Sequence, residues 1–557
     1  SAAARLAADA RLEFALENGT PAEVAAIVSE ALPRDWHPAS SSTEDTRMLL
    51  GLAETLGGVG NRAFRAGLAK SLAAFSPDQQ VPRPGSLPGS DPLTLSELAE
   101  AWAARAPERS PSRTVPGFDA TVLGTNRFKG NFGAVGFGEL EDGTEVALMA
   151  SQRELLAVPS GRAGRPLWQR SVLLSSTKSV RDDQVVVDGS RVIVADTRRV
   201  TCLSLENGEL LWTFRPPQRG VGSIAVDSGV CVVMATRGPG REPAEIHALD
   251  VAEGVELWQL GSIGGFYLPV LKVGDGRLVL FPLKTETAAV HDLFTGFPIA
   301  AIETGRTTSR QARPAWIDRG RLVVPFLEAG PSRGIQNAIV AYELFDGAEA
   351  WRIGLDNYRG ARRQLLGIID MPDGDDGRRR IAMLEDAGEN RRASGFSLHV
   401  IDEERGRFGA GPRYVVDSSK RLYGVPGRRR VVLDAPVLVV ASESPTSEST
   451  RLEAIDPDLR TVWKVSSPRR VSVAGARDMP LPVHTDSTVA MIVKETFGSR
   501  TNQGMELKLM FLDAASGRHV ETRRLETPGQ KSGNWRTLEG FGGTLLVAGS
   551  AQMMVME

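Results

Sequence analysis

The side chains that could do chemistry are few and scattered. There are six histidines, His37, His247, His291, His399, His484 and His519. Three of them, His247, His291 and His399, fall near the same strand of different sequence units. A central ring of imidazole ligands would need them to converge. Equivalent positions facing outward explain the spacing more simply. The two cysteines, Cys202 and Cys231, lie in apolar, strand-like segments without a CxxC partner or a nearby histidine cluster, so they do not form a zinc motif. They read as either a disulfide or two buried thiols. The second is favoured, because free cysteine is among the most buried residue types. The redox compartment stays undecided.

The acidic candidates are Asp250, Asp292, Asp402, Asp456 and Asp513. Each stands where an apolar run ends, so they read as turn formers rather than acid–base pairs. Asp373-Gly374-Asp375-Asp376-Gly377 lacks the spaced ligands and closing glutamate of a calcium loop and reads as a polar hairpin tip. Arg378-Arg379-Arg380 and Arg428-Arg429-Arg430 each precede a strand and read as solvated turns. Arg237-Gly238-Pro239-Gly240 lacks the lysine of a phosphate loop. No residue is assigned a catalytic, cofactor-binding or metal-binding role.

The 557 residues exceed one ordinary core, but closed repeat folds can run long as a single domain. The net charge is −2, without the basic excess of a nucleic-acid binder. No apolar run approaches the ~20 residues that span a bilayer, so no membrane insertion is expected within this chain. The sequence opens Ser-Ala-Ala-Ala, with no charged segment leading into an apolar one. Either the N-terminus is processed or the chain is part of a larger polypeptide; the second is the expectation, because residues 1–75 read as the tail of a helical array.

Three regions are expected. Residues 1–75 read as helical. Thr20-Pro21 starts a helix, with Glu23 at the capping-box offset. Helical stretches at 42–56 and 61–75 follow, and the hairpins resemble the tetratricopeptide class. Residues 76–117 read as a Pro/Ser/Gly-rich linker with one short helix, Leu93 to Ala104. From 118 to 557 short β-branched runs alternate with Gly, Asp and Pro turns.

Self-comparison of 118–557 exposes a repeat. The clearest copies end Leu205-Glu206-Asn207-Gly208-Glu209-Leu210-Leu211-Trp212 and Leu249-Asp250-Val251-Ala252-Glu253-Gly254-Val255-Glu256-Leu257-Trp258. Others end at Trp168, Trp351 and Trp463, and the copies around Gly296, Gly406 and Gly517 have lost the tryptophan. A strand enters a turn, glycine supplies the turn's positive φ, and the next strand carries a ring at a fixed offset, able to lie against the neighbouring unit. The spacing of ~40–60 residues is that of a four-stranded propeller blade. Eight units have both turn and following strand. The last segment, Thr544 to Glu557, has no successor and is expected to share a blade with chain from about 118–170, since an unpaired strand leaves an open edge.

This repeat resembles the PQQ-like, or BamB-like, β-propeller family, whose consensus is close to Ala-Leu-Asp-x-x-Thr-Gly-x-x-Leu-Trp. The resemblance implies a mainly β fold, a closed propeller commonly of eight four-stranded blades behind the small helical segment; the unit count favours eight and leaves seven or nine open. It also implies an envelope-associated, periplasmic role in bacteria, with a cytoplasmic one left open. In the family's quinone-dependent dehydrogenases it would imply vicinal cysteines over the cofactor, a Glu and an Asn on calcium, and a catalytic Asp. Cys202 and Cys231 are not vicinal. The expectation is therefore a non-enzymatic scaffold with no cofactor, recognising protein partners rather than nucleic acid. The inserts at 236–244, 328–337, 387–395, 443–450 and 497–505 are its contact loops, because function concentrates on loops held by a rigid frame. The alternative is a quinoprotein-type oxidoreductase with a divergent site.

Overall fold

A computed structural model describes residues 11–556 other than 13, 16–19, 33–41, 57–61, 85, 105–121, 128–132, 152, 161–165, 173, 175–183, 218–219, 237–243, 264–268, 282–286, 305–314, 329–336, 356–361, 374–376, 388–392, 410–413, 418–420, 424–429, 433–436, 444–449, 467–470, 473–482, 485–487, 498–503, 525–534, 542–543 and 550–551. Among the described residues, four helices have defined bounds: α1 (Pro21–Ala31), α2 (Thr43–Leu56), α3 (Arg62–Ala73) and α4 (Leu95–Ala103). Their starts are written in the sequence. Thr20 and Glu23 form the expected capping box, Thr94 and Glu97 form a second, and Ser42 and Asp45 exchange the same pair of bonds with an aspartate. Each satisfies backbone N–H groups that a helix start leaves without partners.

The remainder is a β-propeller. Eight blades follow one another along the chain, at 133–171, 185–214, 220–263, 270–303, 316–354, 362–408, 421–466 and 471–524, here numbered 1 to 8. Each is built from antiparallel strands, and in most blades each strand pairs with the one before it. Blades 6 and 8 carry extra strands: in blade 8 Val483–His484 also pairs with the second strand, and blade 6 carries two. Arg430–Val432 adds to its inner strand in parallel, and Tyr414–Asp417 pairs with its third strand. A ninth, composite sheet closes the ring: Trp535–Phe541, Thr544–Gly549 and Gln552–Met556 take Val122–Arg127 as their fourth strand, with Val122 opposite Met556. The C-terminal strands thus pair with the start of the propeller, as expected. Their partner is a separate strand ahead of blade 1, which already has four of its own.

Burial explains the strand compositions. Second strands such as Val230–Thr236 are buried along their whole length, because both faces pack against neighbouring blades. Outer strands alternate, so that Trp212, Trp351 and Trp463 are the buried positions of strands otherwise largely exposed. Apolar clusters bridge successive blades, as between blades 1 and 2, 2 and 3, 5 and 6, and 7 and 8.

The recurring tryptophan clasps one blade to the next. The indole N–H of Trp168 donates to the Leu205 carbonyl at 2.7 Å, Trp212 to Val251 at 2.9 Å, Trp258 to Leu293 at 2.9 Å and Trp463 to Ala514 at 2.8 Å. Each ring lies flat on the turn glycine of the following blade, where a Cβ would leave no room. At the seam of blades 5 and 6 the contact differs: Gly406 lies against Trp351 Cβ and Cγ rather than under the ring face, and a Cβ there would likewise leave no room. Blade 6 has Ala410 four residues after Gly406, where the clasping tryptophan would stand. The next blade answers with Leu459 in place of glycine, held at φ +64° and buried among Ile369, Met371 and Val440. A leucine side chain thus occupies the seam that no tryptophan reaches.

Residues 76–104 pack against the helices as far as α4. Gln80–Val81 pairs with Leu93–Thr94, and Trp102 is buried with its N–H directed at the Ser86 hydroxyl, 3.4 Å away. Residues 105–117, the rest of the expected linker, lie outside the described residues. The helices are not a free-standing array either. α1 to α4 share one apolar core with blades 3 and 4.

Candidate functional site

The helices sit on the turn end of blades 3 to 5. Phe64 of α3 meets Phe294 edge to face at 5.3 Å, and Phe75 meets Phe345 of blade 5 at 5.1 Å. Between them lies a buried polar trio. Ser71 donates to Asp292 Oδ2 at 2.5 Å, and Arg277 Nη1 donates to Ser71 Oγ at 2.7 Å and to Asp292 at 3.2 Å. The Arg277 guanidinium also lies over the Phe75 ring, 5.2 Å from its centroid. Burial pulls the Arg277 pKa down and Asp292 opposes it; an arginine starts so high that it stays charged. The other oxygen of Asp292 accepts from Phe294 N, Thr295 N and the Thr295 hydroxyl. Asp292 is therefore the expected turn former, with a second task as the anchor of the helices. The seam beneath, between blades 4 and 5, has Ala300 where the clasping tryptophan would be.

A second ion network joins blades 5 and 6. Arg380 reaches Asp318 of blade 5 at 2.7 Å, Asp370 at 3.6 Å and Glu403, while its guanidinium lies over Trp316 at 5.5 Å. Burial works against the charge on Arg380, but Glu403, Asp318 and Asp370 outweigh it and raise its pKa. Arg379 pairs with Asp458 of blade 7 at 3.4 Å. This corrects the reading of Arg378-Arg379-Arg380 as a solvated turn: Arg380 is buried between blades, because carboxylates from two of them converge on it. A signal was present in the sequence. Arg191, Arg277, Arg321 and Arg380 stand at or near the start of the second strand in blades 2, 4, 5 and 6, a column visible only once the repeats are aligned.

The remaining candidates stay apart. His247, His291 and His399 lie on the third strands of blades 3, 4 and 6, as the spacing suggested. Each has its own local partner: Glu256 for His247 at 2.7 Å, the Gly296 carbonyl for His291 at 3.0 Å, and the Ser397 hydroxyl for His399 at 3.0 Å. Burial lowers the His291 pKa. Among the described residues no three His, Cys, Asp or Glu side chains gather as a metal site. Cys202 and Cys231 are free thiols in one apolar cluster between blades 2 and 3. Burial pushes the Cys202 pKa up to about 12 and that of Cys231 higher still. Thiols held this far from ionising are poor nucleophiles. The described residues therefore do not fit a quinone held under vicinal cysteines with a calcium ion beside it.

The turn aspartates act as expected. Asp250, Asp402, Asp456 and Asp513 each accept from a backbone N–H three or four residues on. Asp373 pairs with Gly377 across a hairpin whose tip is outside the described residues. The same is true of Arg237 to Gly240, of Arg428 and Arg429, and of the core of every insert expected to be a contact loop. The strands that those inserts join are described. All five inserts connect a second strand to a third, as Val230–Thr236 to Ala244–Asp250 and Arg321–Glu328 to Asn337–Glu343. In a ring of equivalent antiparallel blades such connections leave from one face. The helices contact the hairpins at Ser228 and Gly276 and the turn at Phe294, which belong to the other face.

Fold and seams together define a closed β-propeller whose blades are clasped by tryptophan on glycine. Residues 152–313 match the family model of the outer membrane protein assembly factor BamB. That stretch, from the third strand of blade 1 to the end of blade 4, belongs to the PQQ-like, BamB-like propeller family. Among solved structures, BamB from Moraxella catarrhalis is 17% identical over 62% of this chain and 85% of its own, with a TM-score of 0.32. A europium-containing methanol dehydrogenase is 10% identical over 78% of this chain and 93% of its own, with a TM-score of 0.38. The computationally designed Ika8 protein is 10% identical over 80% of this chain and 98% of its own, with a TM-score of 0.34. No curated protein matches the chain. Among the described residues no helix is long and apolar enough to cross a membrane.

Proposed function

We propose that the chain is a non-enzymatic scaffold that recognises a protein partner with the propeller face opposite its helices. The observation that carries this reading is the placement of the inserts. Five segments of eight to ten residues and Gly-, Ser- and Arg-rich composition join second strands to third strands, whereas the turns on the other face keep the repeat and hold the helices. A rigid frame with divergent loops on one side is the usual arrangement of a recognition surface. The matched family model describes an outer membrane assembly factor, which supports an envelope-associated role in assembly. An interface of ordinary size needs ~800 Å² on this side, within reach of several loops.

Two measurements test the reading. The first is dye reduction with alcohol and aldose substrates after reconstitution with calcium and quinone; turnover above the apo-protein overturns it. The second is partner capture from the native envelope fraction, identified by mass spectrometry and repeated with the inserts shortened to Gly-Ser turns. Capture lost on shortening is expected, and capture that is indifferent to all five inserts overturns it.

A further inference from the structure

The outer strand of each blade presents a residue to the rim just before the tryptophan position. It is Leu211 in blade 2, Leu257 in blade 3, Val462 in blade 7 and Val520 in blade 8. Their environments differ sharply. Leu257 is 6% exposed, while Leu211 is 47%, Val462 47% and Val520 54% exposed. What distinguishes blade 3 is α1, which packs against the outer strand Glu256–Ile263. Val24, Ile27 and Val28 of α1 and Leu257 belong to one apolar core. The rim of this propeller thus accepts a helix, and the chain itself shows the mode: an aliphatic i, i+3, i+4 stripe laid on the outer strand.

Blade 2 adjoins that covered rim and carries the same feature doubled. Leu210 is 60% exposed beside Leu211, with exposed Glu209 at one end of the strand and exposed Arg215 at the other. Two adjacent leucines left open on an edge strand are unusual in a surface that otherwise alternates with polar residues. We propose that the outer strand Leu210–Phe214 is a docking site for an amphipathic helix of a partner protein, seated beside α1 and presenting an aliphatic stripe like that of Val24, Ile27 and Val28. The site lies on the rim and is separate from the loop face, so it stands or falls independently of the scaffold reading given above.

The probe is a fluorescent, hydrocarbon-stapled peptide of residues 20–32, added to the full chain and followed by anisotropy. Saturable binding is expected, weakened at least about tenfold, or ~1.4 kcal/mol, by the pair Leu210→Glu and Leu211→Glu. Both residues are exposed, so far-UV circular dichroism of that variant should match the parent. Val462→Glu is the matched control on another rim and should bind as the parent does. A peptide with Ala26→Pro, which cannot stay helical, should not bind. Three outcomes overturn the proposal. One is no saturable binding to the parent. Another is equal binding to the double variant, which places the peptide on blade 3 in exchange with α1. The third is equal binding of the proline peptide, which means strand addition at the edge.

Discussion

Gly254 and Gly320 offer a matched pair for measuring the inter-blade clasp. Both have left-handed backbone, at φ +73° and +74°. A Cβ built at Gly320 meets nothing within 4 Å, whereas at Gly254 it would sit 2.6 Å from Trp212 Cδ2 and 2.7 Å from Cγ. Carbon atoms prefer ~3.5–4.0 Å, so the ring must retreat by about 1 Å and loses its seat on the turn. Gly320→Ala should destabilise by ~1–2 kcal/mol, the backbone term alone. Gly254→Ala carries the same term plus overpacking of ~1–3 kcal/mol, giving ~2–5 kcal/mol in all. The Trp212 indole bond to Val251 O, 2.9 Å long, is strained in the same movement. The assay is urea unfolding followed by far-UV circular dichroism, with m-values compared so that midpoints can be read as stability. In the Trp212→Ala background the added methyl has nothing to strike, and Gly254→Ala should fall to the size of Gly320→Ala. Equal effects of the two glycine substitutions in the parent, or no coupling between Gly254 and Trp212, would refute the clasp.

Four further outcomes follow from the same structure. Deleting 544–557 removes two strands of the closing sheet and the partner of Val122–Arg127, so the whole ring should melt earlier and less cooperatively; a parental thermal melt would make the segment an appendage. Arg277→Ala leaves Asp292 buried without its counter-charge and should cost ~3–5 kcal/mol by urea unfolding, while Ser71→Ala should cost only ~1–2 kcal/mol. Cys202 and Cys231 should resist a thiol reagent at pH 8 in the native protein and react in denaturant, since burial keeps both protonated. Burial depresses the His291 pKa, so the unfolded chain binds that proton more readily; stability should be full above the ordinary imidazole value and fall as pH drops through it towards the folded pKa, and His291→Gln should flatten that slope in pH-dependent melts.

Much of the architecture was legible in the amino-acid order, because a repeat reports its own packing. An apolar run, a turn residue, a glycine and a tryptophan at a fixed offset recur only if each unit meets the next in one way, and Trp212 over Gly254 is that meeting. The helix starts at Thr20 and Thr94 were as local, since a capping box lies within four residues. The three histidines showed by spacing that they share a strand position, and their separate partners then explain why they do not form a site.

What the order of residues could not decide is how elements far apart in the chain meet. Ser71 and Asp292 are 221 positions apart, and nothing near either one foretells a shared hydrogen bond buried under Phe75. Arg380 sits in a run of three arginines that looks solvated until Asp318, from 62 positions upstream, is brought beside it by the ring. Leu257 and Leu211 occupy the same place in the repeat, yet one is covered and the other open, because a helix from the N-terminal segment lies on only one of them. Local order dictates what each unit is, through backbone preference and apolar pattern. Closure of the ring and docking of the helices dictate which of its polar and apolar groups lose water, and that depends on distance in space.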